Sequence, residues 1–356
     1  MKAKTLFEAR NVPAYQNKMF DTREAALACP IGDVVLAQDA SSGLVANIAY
    51  DEHLLRYDET YQNEQGISPQ FRDHLEQVLA KVTAAFGNSD ILEVGCGKGL
   101  FVELMRSRGL RARGVDDAYE GHAPYIEKRH FGTTAETPAE AIVLRHVLEH
   151  IPDPLRFLRL IAVANGGRGL IYIEVPCFDW IMRNRAWFDV FYEHVNYFRL
   201  SDFQRMFGHI IDAGHMFSGQ YLYTIADLSS LRTNVPTTDP ASIDFPVDFT
   251  RALDTFAADA LAAPTRRRVI WGAAAKGVMF AHHLGLRGVR FEAAIDINPG
   301  KQGHFLAATA LAVAAPETVL IELPSGSEIY VMNSNYITEI SDMGGSQFHY
   351  ISVDRS

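Results

Sequence analysis

The run most suggestive of chemistry is Asp90-Ile91-Leu92-Glu93-Val94-Gly95-Cys96-Gly97-Lys98-Gly99. A short apolar segment that runs into Gly95, Gly97 and Gly99 lets the backbone turn through positive φ. It also lets a nucleoside come close, because there is no Cβ to obstruct it. Glu93 sets a carboxylate at the mouth of this bend. That charge would repel a pyrophosphate but would suit a ligand carrying an ammonium and a sulfonium. Asp116 ends the next apolar segment, about 20 residues on, the spacing at which an acid accepts hydrogen bonds from ribose hydroxyls. Asp117 is the alternative for that role.

A ligand with a sulfonium would give up a methyl group by in-line displacement, and a carbon or hydroxyl acceptor would then also have to lose a proton. Histidine is the usual agent. The chain has 13 histidines, so most are bystanders. Two follow strand ends: His150, in the segment Arg145-His146-Val147-Leu148-Glu149-His150-Ile151-Pro152, and His194, in Phe191-Tyr192-Glu193-His194-Val195-Asn196-Tyr197-Phe198. The alternative for His194 is a structural place in an aromatic core. Lys276, in Gly272-Ala273-Ala274-Ala275-Lys276-Gly277, and Lys301 offer point charges to a phosphate. Their alternative is an ordinary turn with solvated lysines.

These residues need elements to hold them. Pro69 followed by Phe71, Leu75, Val78, Leu79, Val82 and Phe86 has helical spacing. Strands are expected at 90–94, 112–116, 141–144 and 169–175, with a helix over 154–164. Such alternation implies a mostly parallel sheet covered on both faces. Further on, a helix over 201–207 opened by a serine cap, a strand over 220–228, a helix over 247–261 and a second strand–turn–helix unit from 268 are expected. Two short strands at 33–37 and 43–47 flank a polar turn, and the tyrosine-rich stretch 50–64 (Tyr50, Tyr57, Tyr61) reads as a loop or short helices.

Bulk properties exclude several classes. A net charge of −10 gives no footprint for nucleic acid or an anionic membrane. No stretch approaches the ~20 apolar residues of a membrane span. Cys29, Cys96 and Cys177 are too few for a disulfide framework or a cysteine-rich zinc site, so no metal is expected and the cytoplasm is the expected address.

The strand, Glu-Val-Gly-Cys-Gly-Lys-Gly loop, helix, strand and Asp116 resemble motif I of the class I S-adenosylmethionine-dependent methyltransferases. Leu148-Glu149-His150-Ile151-Pro152-Asp153-Pro154 resembles the loop that lines the cofactor's methionine end in that class. Tyr192-Glu193-His194, with Gly272–Gly277 and Asp296–Gly303, makes the whole similar to sugar C-methyltransferases acting on nucleotide-linked keto-deoxysugars. The resemblance implies an α/β chain with a Rossmann-like core. It implies a small N-terminal domain (1–65), an S-adenosylmethionine-binding domain (66–232), a linker and bridging helix (233–264), and a C-terminal Rossmann-like substrate domain (265–356). It further implies His194 as the base with His150 and Glu193 beside it. Glu93, Gly95, Gly97, Gly99, Asp116, Asp117, Arg145 and His146 would then hold the cofactor, and Tyr192, Tyr197, Lys276 and Lys301 the substrate. Expected partners are a small-molecule acceptor and at most a second copy of the chain.

Three departures stand in the sequence. Only Cys29 lies where that family has four zinc cysteines, the family's Tyr-His-Glu-His reads Phe191-Tyr192-Glu193-His194, and Pro-Gly-Thr is missing after Lys301-Gln302-Gly303. An oxygen or nitrogen acceptor on another metabolite therefore stays open, as do an NAD-dependent oxidoreductase and a non-catalytic nucleotide-binding protein.

Overall fold

The computed structural model describes residues 3–55, 66, 68–132, 137–235 and 242–355. Tyr57, Tyr61 and the middle of the 233–246 linker lie outside them. Three β-sheets organise the chain. Strands β1 (Lys4–Pro13), β2 (Ile31–Gln38) and β3 (Val45–Asn47) form an antiparallel sheet near the N-terminus. The two short strands expected here are present. β1 escaped detection because its alternation is blurred by register shifts between Thr5 and Phe7 and between Ala9 and Val12.

The second sheet is built from β4 (Asp90–Val94), β5 (Arg111–Asp116), β6 (Ile126–Lys128), β7 (Ala141–Arg145) and β8 (Leu170–Pro176). A two-residue strand, β9 (Asn196–Tyr197), leaves this unit to pair with β3. β10 (Ile210–Met216) and β11 (Tyr221–Asp227) then complete seven strands in the order β10-β11-β8-β7-β4-β5-β6. Strands β6, β5, β4, β7 and β8 run parallel and β11 runs antiparallel to β8. The strand order reverses direction between β4 and β7, so a crevice opens beyond their C-terminal ends. This is the Rossmann-like arrangement expected.

Helices cover both faces. The helix Pro69–Phe86 starts with proline at its first turn and buries Phe71, Leu75, Val78, Leu79, Val82 and Phe86 against one face. Each such side chain contributes roughly 1.5–3 kcal/mol of burial. Leu158 and Ile161 of Pro154–Ala164 cover the other face. A later helix spans Leu200–Met206 and has Arg199 rather than Ser201 at its N-cap position, so the expected capping role of Ser201 is corrected. Asp202 takes the backbone N–H of Arg199 at 2.8 Å, which serves the cap in its place.

The third sheet, order β14-β13-β12-β15-β16, is wholly parallel: β12 (Arg268–Trp271), β13 (Ala294–Ile295), β14 (Val313–Ala314), β15 (Glu328–Val331) and β16 (His349–Ser352). Its order also reverses, between β12 and β15. One apolar core joins the N-terminal sheet, the segment 178–197 and the third unit. Within it Trp187 stacks on Phe280 at 6.0 Å between ring centroids.

Candidate functional site

The two reversal crevices face each other across a single cavity of about 630 Å³. Gly95–Lys98, Asp116 and Asp117 line one side. Gly272, Lys276, Asp296 and Lys301 line the other, with His150, His194 and Asp189 in between. The elements explain the placement. The glycine loops and Asp116, Asp296 and Lys276 sit at or just beyond the C-terminal ends of strands. Asp189 and His194 reach the same edge from beyond the helix Phe178–Arg183 that follows β8.

Positive φ is required at all three glycines of the first loop, with values of 74°, 55° and 85° at Gly95, Gly97 and Gly99. Their surroundings differ. A Cβ at Gly95 would strike Val147 and one at Gly99 would strike Ile126, whereas one at Gly97 would meet nothing within 4 Å. Gly97 is therefore the residue over which a ligand can approach the backbone. Asp116 ties this loop down, accepting from Gly97 N–H at 2.7 Å and Ala118 N–H at 2.8 Å. Asp296 repeats the device in the third sheet, accepting from Ala273 N–H and Asn298 N–H, each at 2.9 Å.

Glu93 is 2% exposed, one of its oxygens lacks a hydrogen bond, and burial pushes its pKa up to about 8 despite Arg145 opposite. Below the cavity floor Glu174 sits at 0% exposure. Tyr172 OH donates to it at 2.8 Å, and Arg145, His146 and His74 each lie 3.2 Å away. Burial alone would raise Glu174, but Arg145 and the two histidines outweigh it and hold the carboxylate well below its usual range. Burial would likewise lower His146, yet Glu149 and Glu174 raise it to about 9. His146 also carries φ 53°, a left-handed backbone that costs energy in a non-glycine residue. Arg145 places its guanidinium 4.8 Å from the Phe101 ring centroid. Both residues line the cavity, and both are held by Glu174, which sequence reasoning missed.

His194 lies against the Phe191 ring at 3.9 Å and 5.1 Å from the His150 ring. Burial, reinforced by His150 and His146, drives its pKa well below the usual histidine value, so the ring is neutral. His150 is fixed by its Nδ1, 2.8 Å from the Glu193 carbonyl oxygen.

Other expectations are corrected. The Glu193 side chain is fully buried and turned away from the cavity, accepting from Gln16 N–H at 2.8 Å and from Asn17 Nδ2 at 3.3 Å. Its contact is with the N-terminal unit. Tyr192 and Tyr197 do not line the cavity either, because their hydroxyls are taken by backbone. Asp51 N–H donates to Tyr192 at 2.7 Å, and Tyr197 donates to Phe191 O at 3.2 Å. Lys276 and Lys301 do line it, and neither is solvated. Lys276 lies 3.5 Å from Asp189 and 4.8 Å from the Phe188 ring centroid, and Lys301 lies 3.1 Å from Asp296. Asp189 had no motif to reveal it; burial raises its pKa while Lys276 pulls it down.

Two family models match the chain: a methyltransferase domain over residues 66–210 and a C-methyltransferase C-terminal domain over residues 248–344. Residues 66–210 of the chain thus carry a methyltransferase domain. Among curated proteins, this domain-bearing chain is similar to C-methyltransferase NovU of Streptomyces niveus. The two are 28% identical over 151 residues, which is 38% of this chain and 36% of the relative. It is also similar to the ubiquinone biosynthesis O-methyltransferase of Ruegeria sp. (strain TM1040), 40% identical over 95 residues, 22% of this chain and 37% of the relative. The chain thus spans little more than a third of the length of these two relatives. Among solved structures, magnesium protoporphyrin IX methyltransferase (ChlM) from Synechocystis PCC 6803 with bound SAH is 12% identical. That likeness covers 44% of this chain and 82% of the other, at a TM-score of 0.35. Among the described residues no helix is long and apolar enough to cross a membrane.

Proposed function

We propose that the protein transfers a methyl group from S-adenosylmethionine to a small molecule. In the finer form of this reading, it C-methylates a nucleotide-linked keto-sugar, with residues 66–232 holding the donor and residues 265–356 the acceptor. The observation that carries the reading is the shared cavity: two opposed nucleotide-type crevices with a neutral, buried His194 between them. The donor's demands fit the first crevice. Gly97 leaves open space at the bend, and Glu93 presents a buried oxygen without a hydrogen bond. When bound, the cofactor supplies an electrophilic methyl on a sulfonium. The protein's own part is to orient and to move a proton.

In this reading Lys276 and Lys301 draw an anionic acceptor into the second crevice. His194 takes the proton from the carbon beside the acceptor's ketone. The carbon's freed electron pair forms the new C–C bond, and the broken S–C pair stays on sulfur. Glu193 acts as a positioning residue, anchoring the His194 loop to Gln16 and Asn17. Asp116 keeps the glycine loop in shape beside the ribose site, with Asp117 as the alternative ribose partner.

A labelled-methyl assay with His194→Ala tests the base. Turnover is expected to fall by about 10²–10⁴-fold, while S-adenosylhomocysteine binding is retained. Unchanged turnover would remove the assignment. An O-methyltransferase is the second reading, favoured by the likeness to the ubiquinone biosynthesis relatives. Mass spectrometry of the methylated product separates the two. The address we propose is the cytoplasm, as a monomer or homodimer.

A further inference from the structure

Two imidazoles and a carboxylate converge on the cavity wall. Glu149, His150 and His194 each offer one ligand atom, and these atoms all lie within 4.8 Å of one another. Glu149 is 1% exposed, and neither of its oxygens has a hydrogen-bond partner. Among the described residues its ion-pair partner is His146 Nδ1, at 3.4 Å. That pair offsets part of the cost of burial, but neither oxygen is hydrogen-bonded, and such a carboxylate facing two imidazoles at a cavity wall points to a ligand. The neighbouring ring is oriented to match. With Nδ1–H of His150 directed at the Glu193 carbonyl oxygen, its Nε2 carries the lone pair, the orientation seen for metal-binding histidines.

We propose that Glu149, His150 and His194 bind one borderline divalent cation of the zinc type, with its fourth position open to the cavity. Two imidazoles and one carboxylate suit such an ion, and three protein ligands with one open position are the usual arrangement of reactive rather than structural sites. Hard cations such as Mg²⁺, which keep several waters and favour oxygen, are a poorer match. Occupancy has a consequence that rests on the reading of His194 as the base. The lone pair that accepts the proton is the one that would bind the metal, so the two uses exclude each other. Zinc is an inhibitor of methyl transfer by that route.

The test uses the full chain after chelator treatment, titrated with Co²⁺ and followed by its visible absorption. One equivalent is expected to give the bands of a low-symmetry, four-coordinate ion and to be displaced by Zn²⁺. Glu149→Gln and His194→Asn are each expected to weaken binding by about tenfold or more, while each variant still binds S-adenosylhomocysteine. Absent bands, or bands that neither substitution weakens, would overturn the site. A wild-type crystal soaked in zinc gives an answer without any variant: an anomalous peak between the three side chains is expected, and a peak only elsewhere overturns the proposal. Turnover should fall in zinc and return with chelator. Cobalt binding at the three residues with turnover untouched by zinc would leave the site standing and refute the base.

Discussion

Binding of the cofactor should expel a proton, and Glu93 is where that proton resides. Its carboxyl is 2% exposed and raised to about 8, so at pH 7 roughly nine chains in ten carry it protonated. Ionising it at that pH costs about 1 kcal/mol, one pH unit's worth. A ligand ammonium at the mouth of the glycine loop favours the carboxylate, so binding and ionisation are linked. Calorimetric titration with S-adenosylhomocysteine, in two buffers of different ionisation enthalpy, reads the protons released. Close to one proton per ligand is expected at pH 6–7, falling toward zero above pH 9, with affinity rising up to about tenfold per pH unit below pH 8. Glu93→Gln should abolish both effects. The sign for stability follows from the same shift. The folded chain holds a proton that the unfolded chain releases, so this group's contribution declines as pH rises from about 4.5 to about 8. Wild-type binding without proton release, or release that survives in Glu93→Gln, would refute the reasoning.

Gly97→Ala places a side chain at φ 55° with nothing within 4 Å. It should cost only about 1–2 kcal/mol of stability in a denaturant titration yet reduce S-adenosylhomocysteine affinity by an order of magnitude or more. Gly95→Ala, whose Cβ strikes Val147, should instead show mainly as lost stability. Glu174→Gln leaves Arg145 and His146 buried without their shared carboxylate and should destabilise by about 3–5 kcal/mol, read as a lower urea midpoint. In the wild type, the depressed Glu174 makes stability fall as pH drops below the ordinary carboxylate range. The raised His146 makes it fall as pH climbs from about 6.5 to about 9. Because His194 is held well below the usual histidine pKa, the acid limb of the kcat profile should lie on the acid side of that value. A limb near or above pH 6.5 would contradict this.

The glycine loop, its flanking strands and the paired α/β units were legible in the sequence, because each depends on local pattern. Short apolar runs and glycines at 95, 97 and 99 report a backbone that must bend, whatever packs around it. The loops were harder. Glu193 and His194 are neighbours in sequence, yet one faces Gln16 and the other the cavity, and nothing in the local pattern says which. Tyr192 and Tyr197 looked like ligands for the same reason and proved to be core residues whose hydroxyls hold backbone. Glu174 reads as one more position of an apolar strand. Its place as the counter-charge to Arg145, His146 and His74 needs three segments brought together. In the sequence Glu149 is one position of the Leu148–Pro154 motif; only the fold shows its carboxylate buried against His146 and beside His194.

The most direct test of the account is calorimetry of the full chain with S-adenosylhomocysteine and, separately, with NADH. Saturable binding of the first, sharply weakened by Gly97→Ala, with no binding of the second, is the predicted result. Binding of NADH with S-adenosylhomocysteine silent would contradict it.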